Sequence, residues 1–235
     1  MKRDNKMNMK NKLVIFPWLF LAASGSLLAD TVQERLQESA TVLTEVLSAP
    51  DKGIPSDLLA QAHCIVVVPA MKKAAFVVGG KYGKGFVTCR NASGRGWGAP
   101  AAVRIEGGSF GFQIGASETD LVLLVLNREG MEKLSQSKFT LGGEAEVAAG
   151  PVGRNATAQT DAKMTAKILS YSRSRGVFAG ISLQGATLRQ DLDENRELYG
   201  RNLTNKQIVM KQVKAPEAAA ELLGVLTKYS RMESN

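Results

Sequence analysis

A single histidine, two cysteines and an aromatic content of 6% leave this 235-residue chain with little of the usual equipment of metal and nucleophile chemistry. No Cys/His cluster has ligand spacing, which argues against a zinc site, and a histidine-dependent triad would have to be built on His63. A phosphate-cradling loop fails on spacing. In the run Gly79-Gly80-Lys81-Tyr82-Gly83-Lys84-Gly85 no Ser or Thr follows Lys84. Asp191-x-Asp193-x-Asn195 mimics the start of a calcium loop, yet its sixth position is Arg196 and its twelfth Asn202, so the glycine and the bidentate glutamate are missing. These gaps point away from an enzyme. No metal, no cofactor and no nucleic-acid partner is expected.

Acidic residues are missing from Leu58 to Ile105, where Lys72, Lys73, Lys81, Lys84, Arg90, Arg95 and Arg104 all fall. The acids gather elsewhere, notably at Asp191, Asp193, Glu194 and Glu197, so the molecule is polarised with one cationic side. The N-terminus has its own pattern. Lys2, Arg3, Lys6, Lys10 and Lys12 precede an uncharged run from Leu13 to Ala29 that ends in small residues and is interrupted by Pro17. That is the layout of a secretory signal peptide over 1–29, with cleavage expected after Ala29. It implies export to the periplasm, or otherwise beyond the cytoplasmic membrane, as a soluble or peripherally membrane-associated protein. Residues 30–235 are then expected to form one domain, since about 150 residues per domain is the ordinary scale.

Apolar residues Val32, Leu36, Ala40, Leu43 and Leu47 recur at helical spacing over 31–48, and a short helix capped by Ser or Asp is expected over 54–62. A β-rich block follows. Cys64–Val68 reads as a doubly buried strand ended by Pro69. Residues 74–78 and 86–89 flank the glycine run and read as a hairpin whose tip carries Lys81 and Lys84, with Lys72 and Lys73 at its base. Further strands are expected at 101–105, 109–114, 121–126 and 164–171, and a short helix at 127–135. Alternating apolar residues on either side of Arg173-Ser174-Arg175-Gly176 predict a second hairpin. Helices are expected at 192–199 and after Pro216. The class predicted is α+β, with a curved, mainly antiparallel sheet of glycine-punctuated hairpins and helices at both ends.

The order Ile54-Pro55, Ala62 to Pro69, Gly79-Gly80-x-x-Gly83-x-Gly85, Gly96-Trp97-x-x-Pro100, Gly107-Gly108-Ser109-x-Gly111-x-x-x-Gly115, Ala149-Gly150-Pro151-x-Gly153 and Ser170-Tyr171-Ser172 through Gly185 resembles the SYLF family. The resemblance covers roughly residues 31–199. It implies a non-enzymatic lipid-binding module, whose eukaryotic relatives bind phosphoinositide-rich membranes and whose fungal relatives also bind actin filaments. Those relatives are cytosolic and use a membrane-attracted N-terminal segment. Here a signal peptide and an acidic first helix stand in its place, so actin is not expected as a partner.

Lys72, Lys73, Lys81, Lys84 and Arg90 are accordingly the candidate contacts to an anionic phospholipid or a phosphoinositide-like headgroup. An envelope scaffold or protein-interaction domain is the alternative use of the same cations. Cys64 and Cys89 lie in strands that the intervening hairpin could make neighbours. In an oxidising compartment they form either a disulfide or two buried thiols.

Overall fold

The computed structural model describes residues 30–49, 53–75, 78–91, 96–110, 115–143, 147–152, 168–174, 177–180, 183, 185–211 and 213–230. Its first helix, α1 (Val32–Ser48), starts at a capping box. The Thr31 hydroxyl accepts from the Glu34 amide at 3.2 Å, and the Glu34 carboxylate accepts from the Thr31 amide at 2.8 Å. Val32, Leu36, Ala40, Leu43 and Val46 bury the apolar stripe. The next helix, α2 (Ser56–Gln61), departs from expectation. Neither Ser nor Asp caps it, because Pro55 holds the N-cap position and Ser56 is already helical.

Among the described residues nine strands form one curled, almost wholly antiparallel sheet. They are β1 (Cys64–Ala75), β2 (Val78–Cys89), β3 (Ala101–Phe110), β4 (Gly115–Val125), β5 (Lys138–Thr140), β6 (Val147–Ala149), β7 (Ile168–Ser174), β8 (Val177–Gly180) and β9 (Thr187–Gln190). Their order is β5-β9-β3-β2-β1-β4-β7-β6, with β8 folding back on β7 and only β6–β7 parallel. Between β4 and β5 lies α3 (Arg128–Leu134), capped by Asn127. After β9 come α4 (Leu192–Tyr199), α5 (Asn205–Met210) and, beyond a turn of 3-10 helix, α6 (Ala220–Tyr229). Among the described residues no helix is long and apolar enough to cross a membrane.

The sheet separates two cores. Ile65 and Val67 of β1 face one with α1 and α6, while Cys64, Val66 and Val68 face the other with Phe139, Leu188 and Ile208. This is why β1 is apolar at every position from Cys64 to Val68. The hairpin at 171–180 forms as predicted, with Ser174 opposite Val177 and Tyr171 opposite Gly180. Tyr171 is fully buried, and its ring leaves no room at Gly150, where a Cβ would stand 2.1 Å from Cζ.

Two expectations for β1 and β2 are corrected. Pro69 does not end the strand: Pro69 and Ala70 together oppose Asp120 of β4, a β-bulge after which pairing resumes at Met71. Ala70 takes a left-handed φ of 49°, and its amide donates to Asp120 Oδ1 at 2.9 Å. The glycine run is not the turn either. It lies inside β2, which pairs with β1 as far as Gly79 opposite Ala75, so Lys81 and Lys84 are strand residues. Glycine is needed there to pass the bulge, because a Cβ at Gly85 would stand 1.9 Å from the Val67 carbonyl oxygen.

Two measurements check this geometry. Gly85→Ala should lower unfolding free energy by more than about 2 kcal/mol, whereas Gly80→Ala, with nothing within 4 Å of its Cβ, should change it by less than about 0.5 kcal/mol. Equal urea midpoints for the two variants would contradict the bulge register. Cys64 and Cys89 are direct cross-strand partners joined by a disulfide, with Cα atoms 3.9 Å apart. Protein recovered from an oxidising compartment should therefore titrate no thiols after unfolding without reductant. Reduction should cost about 3 kcal/mol, from the chain-entropy treatment of a loop with sequence separation 25.

Candidate functional site around the β1–β2 hairpin

The bulge decides which way each cation points. With two residues of β1 set against one of β4, Lys72 falls on the α1 side of the sheet and Lys73 on the other. Lys73 pairs directly with Lys81 of β2, so two ammonium groups share one face. Neither makes an ion pair among the described residues. Burial first, and the charge of Lys81 second, hold the Lys73 pKa below the usual lysine value. The backbone beside them is bare: Lys81 pairs with Gly107 of β3, and Gly79 precedes it on the same face.

The remaining two candidates are engaged internally. Lys84 faces α4, where its Nζ lies 2.9 Å from Glu194 Oε1 and 3.4 Å from Asp191 Oδ2. Burial opposes the Lys84 charge, but the hydrogen bond to Glu194 and the charges of Glu194 and Asp191 outweigh it and raise its pKa. Arg35 of α1 reaches the same Glu194 oxygen at 2.5 Å. Arg90 lies at the opposite end of β2. Its Nε donates to the Ala62 carbonyl at 3.0 Å, its Nη2 donates to Leu59 and Ala60 at 3.2 Å, and its guanidinium sits 4.6 Å from the Trp97 ring centroid. It closes the C-terminal end of α2. The five cations therefore divide into a facing pair, Lys73 and Lys81, one residue behind the sheet, Lys72, and two structural ion or hydrogen-bond donors.

Sequence reading passed over the partners. Glu194 and Arg35 are both more than nine-tenths buried, and their meeting fixes α4 against α1. The signal was present as two separate facts, an acid-free stretch holding Lys84 and an acid cluster at 191–197, which complement each other in space. A second ion cluster was also missed: Arg173 of β7 binds Asp120 at 2.6 Å and also pairs with Glu45 of α1. The string Gly107-x-Ser109-x-Gly111 has the letters of a nucleophile elbow. Ser109 nevertheless lies in a strand, paired with Gly79, rather than at a strand-to-helix turn.

Fold and charge placement define an α+β domain with ionic groups gathered on both sides of one projecting hairpin. The chain belongs to the Ysc84 family, described as "Las17-binding protein actin regulator", which it matches over residues 106–229; this is the SYLF resemblance. It is 35% identical over 190 residues to the rat "SH3 domain-containing YSC84-like protein 1", covering 80% of this chain and 55% of that protein. To "Protein YSC84" of Saccharomyces cerevisiae it is 35% identical over 179 residues, 75% of this chain and 38% of that one. To the Schizosaccharomyces pombe "SH3 domain-containing protein PJ696.02" it is 38% identical over 176 residues, 74% and 40% respectively. The chain thus spans between 38% and 55% of the length of these relatives. A family description naming an actin regulator gives no support to the expectation that actin is not a partner.

Replacing Glu194 tests the internal role of Lys84. Glu194→Gln leaves Arg35 and Lys84 facing a neutral group and should cost about 3 kcal/mol in urea unfolding. Lys84→Met should cost less, because Arg35 still neutralises Glu194 and the Lys84 side chain is 32% exposed.

Proposed function

We propose that the domain is a non-enzymatic lipid-binding module of the cell envelope, taking the phosphate of an anionic phospholipid between Lys73 and Lys81. The observation that carries this reading is the facing pair itself. Like charges directly across two strands disfavour the pairing that holds them, and here no carboxylate among the described residues relieves them. An anion bridging the two ammonium groups removes that repulsion and replaces the water lost by Lys73. The glycine-lined backbone around them gives a phosphate close approach. Lys72, at the same end of the hairpin but on its other face, adds a third cation within reach of a surface.

Export is part of this proposal and rests on the 1–29 pattern. An envelope scaffold that meets an acidic protein is the second reading, favoured by the family description, which names a binding partner and actin regulation for its members. In that reading the same lysines meet carboxylates.

Co-sedimentation separates the two. Exported protein should pellet with phosphatidylglycerol or cardiolipin vesicles and not with phosphatidylcholine. Binding should weaken between low and high salt, as charges screened over about 10 Å at 0.1 M do. Each suitably placed cation is worth about 1 kcal/mol near such a surface, so Lys73→Gln with Lys81→Gln should remove most pelleting while Lys228→Gln on α6 does not. Equal pelleting of both variants, or none by the unaltered protein at low salt, rejects the lysine pair as the lipid site.

A further inference from the structure

On the α1 side of the sheet four cations stand in one line across four strands. Lys84 of β2 is directly opposite Arg104 of β3, Arg104 is opposite Arg189 of β9, and Arg189 is opposite Lys138 of β5, the strand that ends the sheet on that side. Their neighbours in sequence, Val103, Ile105, Leu188 and Phe139, are buried in the other core, so the line shares one face. Lys84 is engaged by Glu194 and Asp191. Arg104 and Arg189 remain, their side chains 35% and 38% exposed, with Lys138 exposed beside them.

Like charges directly across strands oppose the pairing that holds them. Among the described residues one carboxylate answers the two arginines: Glu106 Oε1 lies 2.8 Å from Arg104 Nε, and its Oε2 lies 3.2 Å from Arg189 Nε. Arg189 Nε is nevertheless buried without a hydrogen bond, so Glu106 holds that guanidinium by charge alone. The Nη nitrogens of both arginines make no hydrogen bond among the described residues, and Lys138 makes no ion pair among them. A second line runs beside the cations on the same face. It consists of Tyr82, Glu106, Thr187 and Thr140, again in register across the four strands.

We infer that this face binds an acidic polysaccharide, with successive carboxylates of the sugar chain on Arg104, Arg189 and Lys138 and its hydroxyls on Glu106 and Thr187. Strands lie about 4.8 Å apart, so the line offers one cation per strand at a spacing close to the length of one sugar. A polyuronate, with one carboxylate on each sugar, is in register with it. Guanidinium groups suit carboxylates because they present paired N–H donors. A peptide added to the edge at β5 would run along the strands and meet Lys138 alone of the three. A phosphodiester chain is repelled by Glu106, whereas sugar hydroxyls donate to that carboxylate between the charged positions. Tyr82, exposed at the end of the second line, offers its ring to the C–H side of a sugar. The inference lies on the face opposite Lys73 and Lys81 and shares no residue with the lipid reading.

Calorimetric titration of the disulfide-bonded protein with tetragalacturonate, its methyl ester and tetraglutamate decides it. The acidic sugar should bind at least roughly tenfold more tightly than either control, since its carboxylates gain charge-assisted hydrogen bonds that the ester lacks and its hydroxyls gain contacts that the peptide lacks. Arg189→Gln with Lys138→Gln should remove that binding and leave the thermal midpoint equal or higher, because the changes also remove the like-charge pairings of Arg189 with Arg104 and with Lys138. Lys138→Gln alone, at an exposed position, should weaken binding severalfold, and it carries the test where the double variant does not fold. Lys73→Gln with Lys81→Gln should bind the sugar as the unaltered protein does, whether or not vesicle binding is lost. Equal affinity for tetraglutamate or for the methyl ester, tighter binding of a thymidine tetranucleotide, no binding of tetragalacturonate, or binding untouched by the Arg189 and Lys138 changes overturns the inference.

Discussion

The β-bulge at Pro69–Ala70 is the constraint on which the rest of the hairpin depends. Proline has no amide to give to a ladder, and one extra residue in β1 lets the strand pass that point and continue. The cost is local and is met by named neighbours. Asp120 accepts the Ala70 amide that the bulge displaces from the ladder, Arg173 holds Asp120, and Glu45 of α1 joins Arg173. Opposite the bulge, β2 gives way by having no side chains: Cβ atoms at Gly83 and Gly85 would stand 2.7 Å and 1.9 Å from Val68 and Val67 atoms. A glycine pattern that could serve a turn or a phosphate thus serves a passage between strands.

A shift of one residue moves every later side chain to the other face. Before the bulge, Val66 and Val68 share a face; beyond it that face continues through Met71 and Lys73 instead of Ala70 and Lys72. The acid-free stretch is therefore not one cationic surface. Lys73 and Lys81 lie on one side, Lys72 and Lys84 on the other, and Lys84 meets the acids Asp191 and Glu194. The polarity inferred from composition is real at the level of the chain and is partly cancelled in space, where Lys84 joins Glu194 and Arg104 joins Glu106 at 2.8 Å.

Elements whose signals are local were legible in the sequence. α1 shows its capping box and stripe, α4 starts after Asp191 and ends at Gly200, and the β7–β8 hairpin alternates cleanly. What escaped needed either a long-range partner or a weaker local signal. α5 lay unread although Thr204-x-x-Gln207 spells its capping box, because only Ile208 of that short helix is a buried apolar side chain. Its place is fixed from afar, by Asn205 donating to the Ala102 carbonyl at 3.0 Å and accepting from Asn195 at 2.7 Å. The disulfide partners were legible as neighbours, since β1 and β2 are joined by a short connection, but the register that sets Cys64 opposite Cys89 depends on the bulge. Of the candidate site, residue types were readable and facing directions were not.

The two sides of the hairpin have opposite charge, yet both lie at one end of a single sheet. Strands are about 4.8 Å apart and side chains stand roughly perpendicular to the sheet, so Lys73 and Lys72, adjacent in sequence, are separated by little more than the thickness of the backbone plus their own lengths. A domain approaching a bilayer flat on either face would bring only one set of charges to it and would turn the other away. Under the proposed lipid reading the lysine face is the one that turns toward the headgroups, because the opposite face carries Glu38, Glu118 and Glu197.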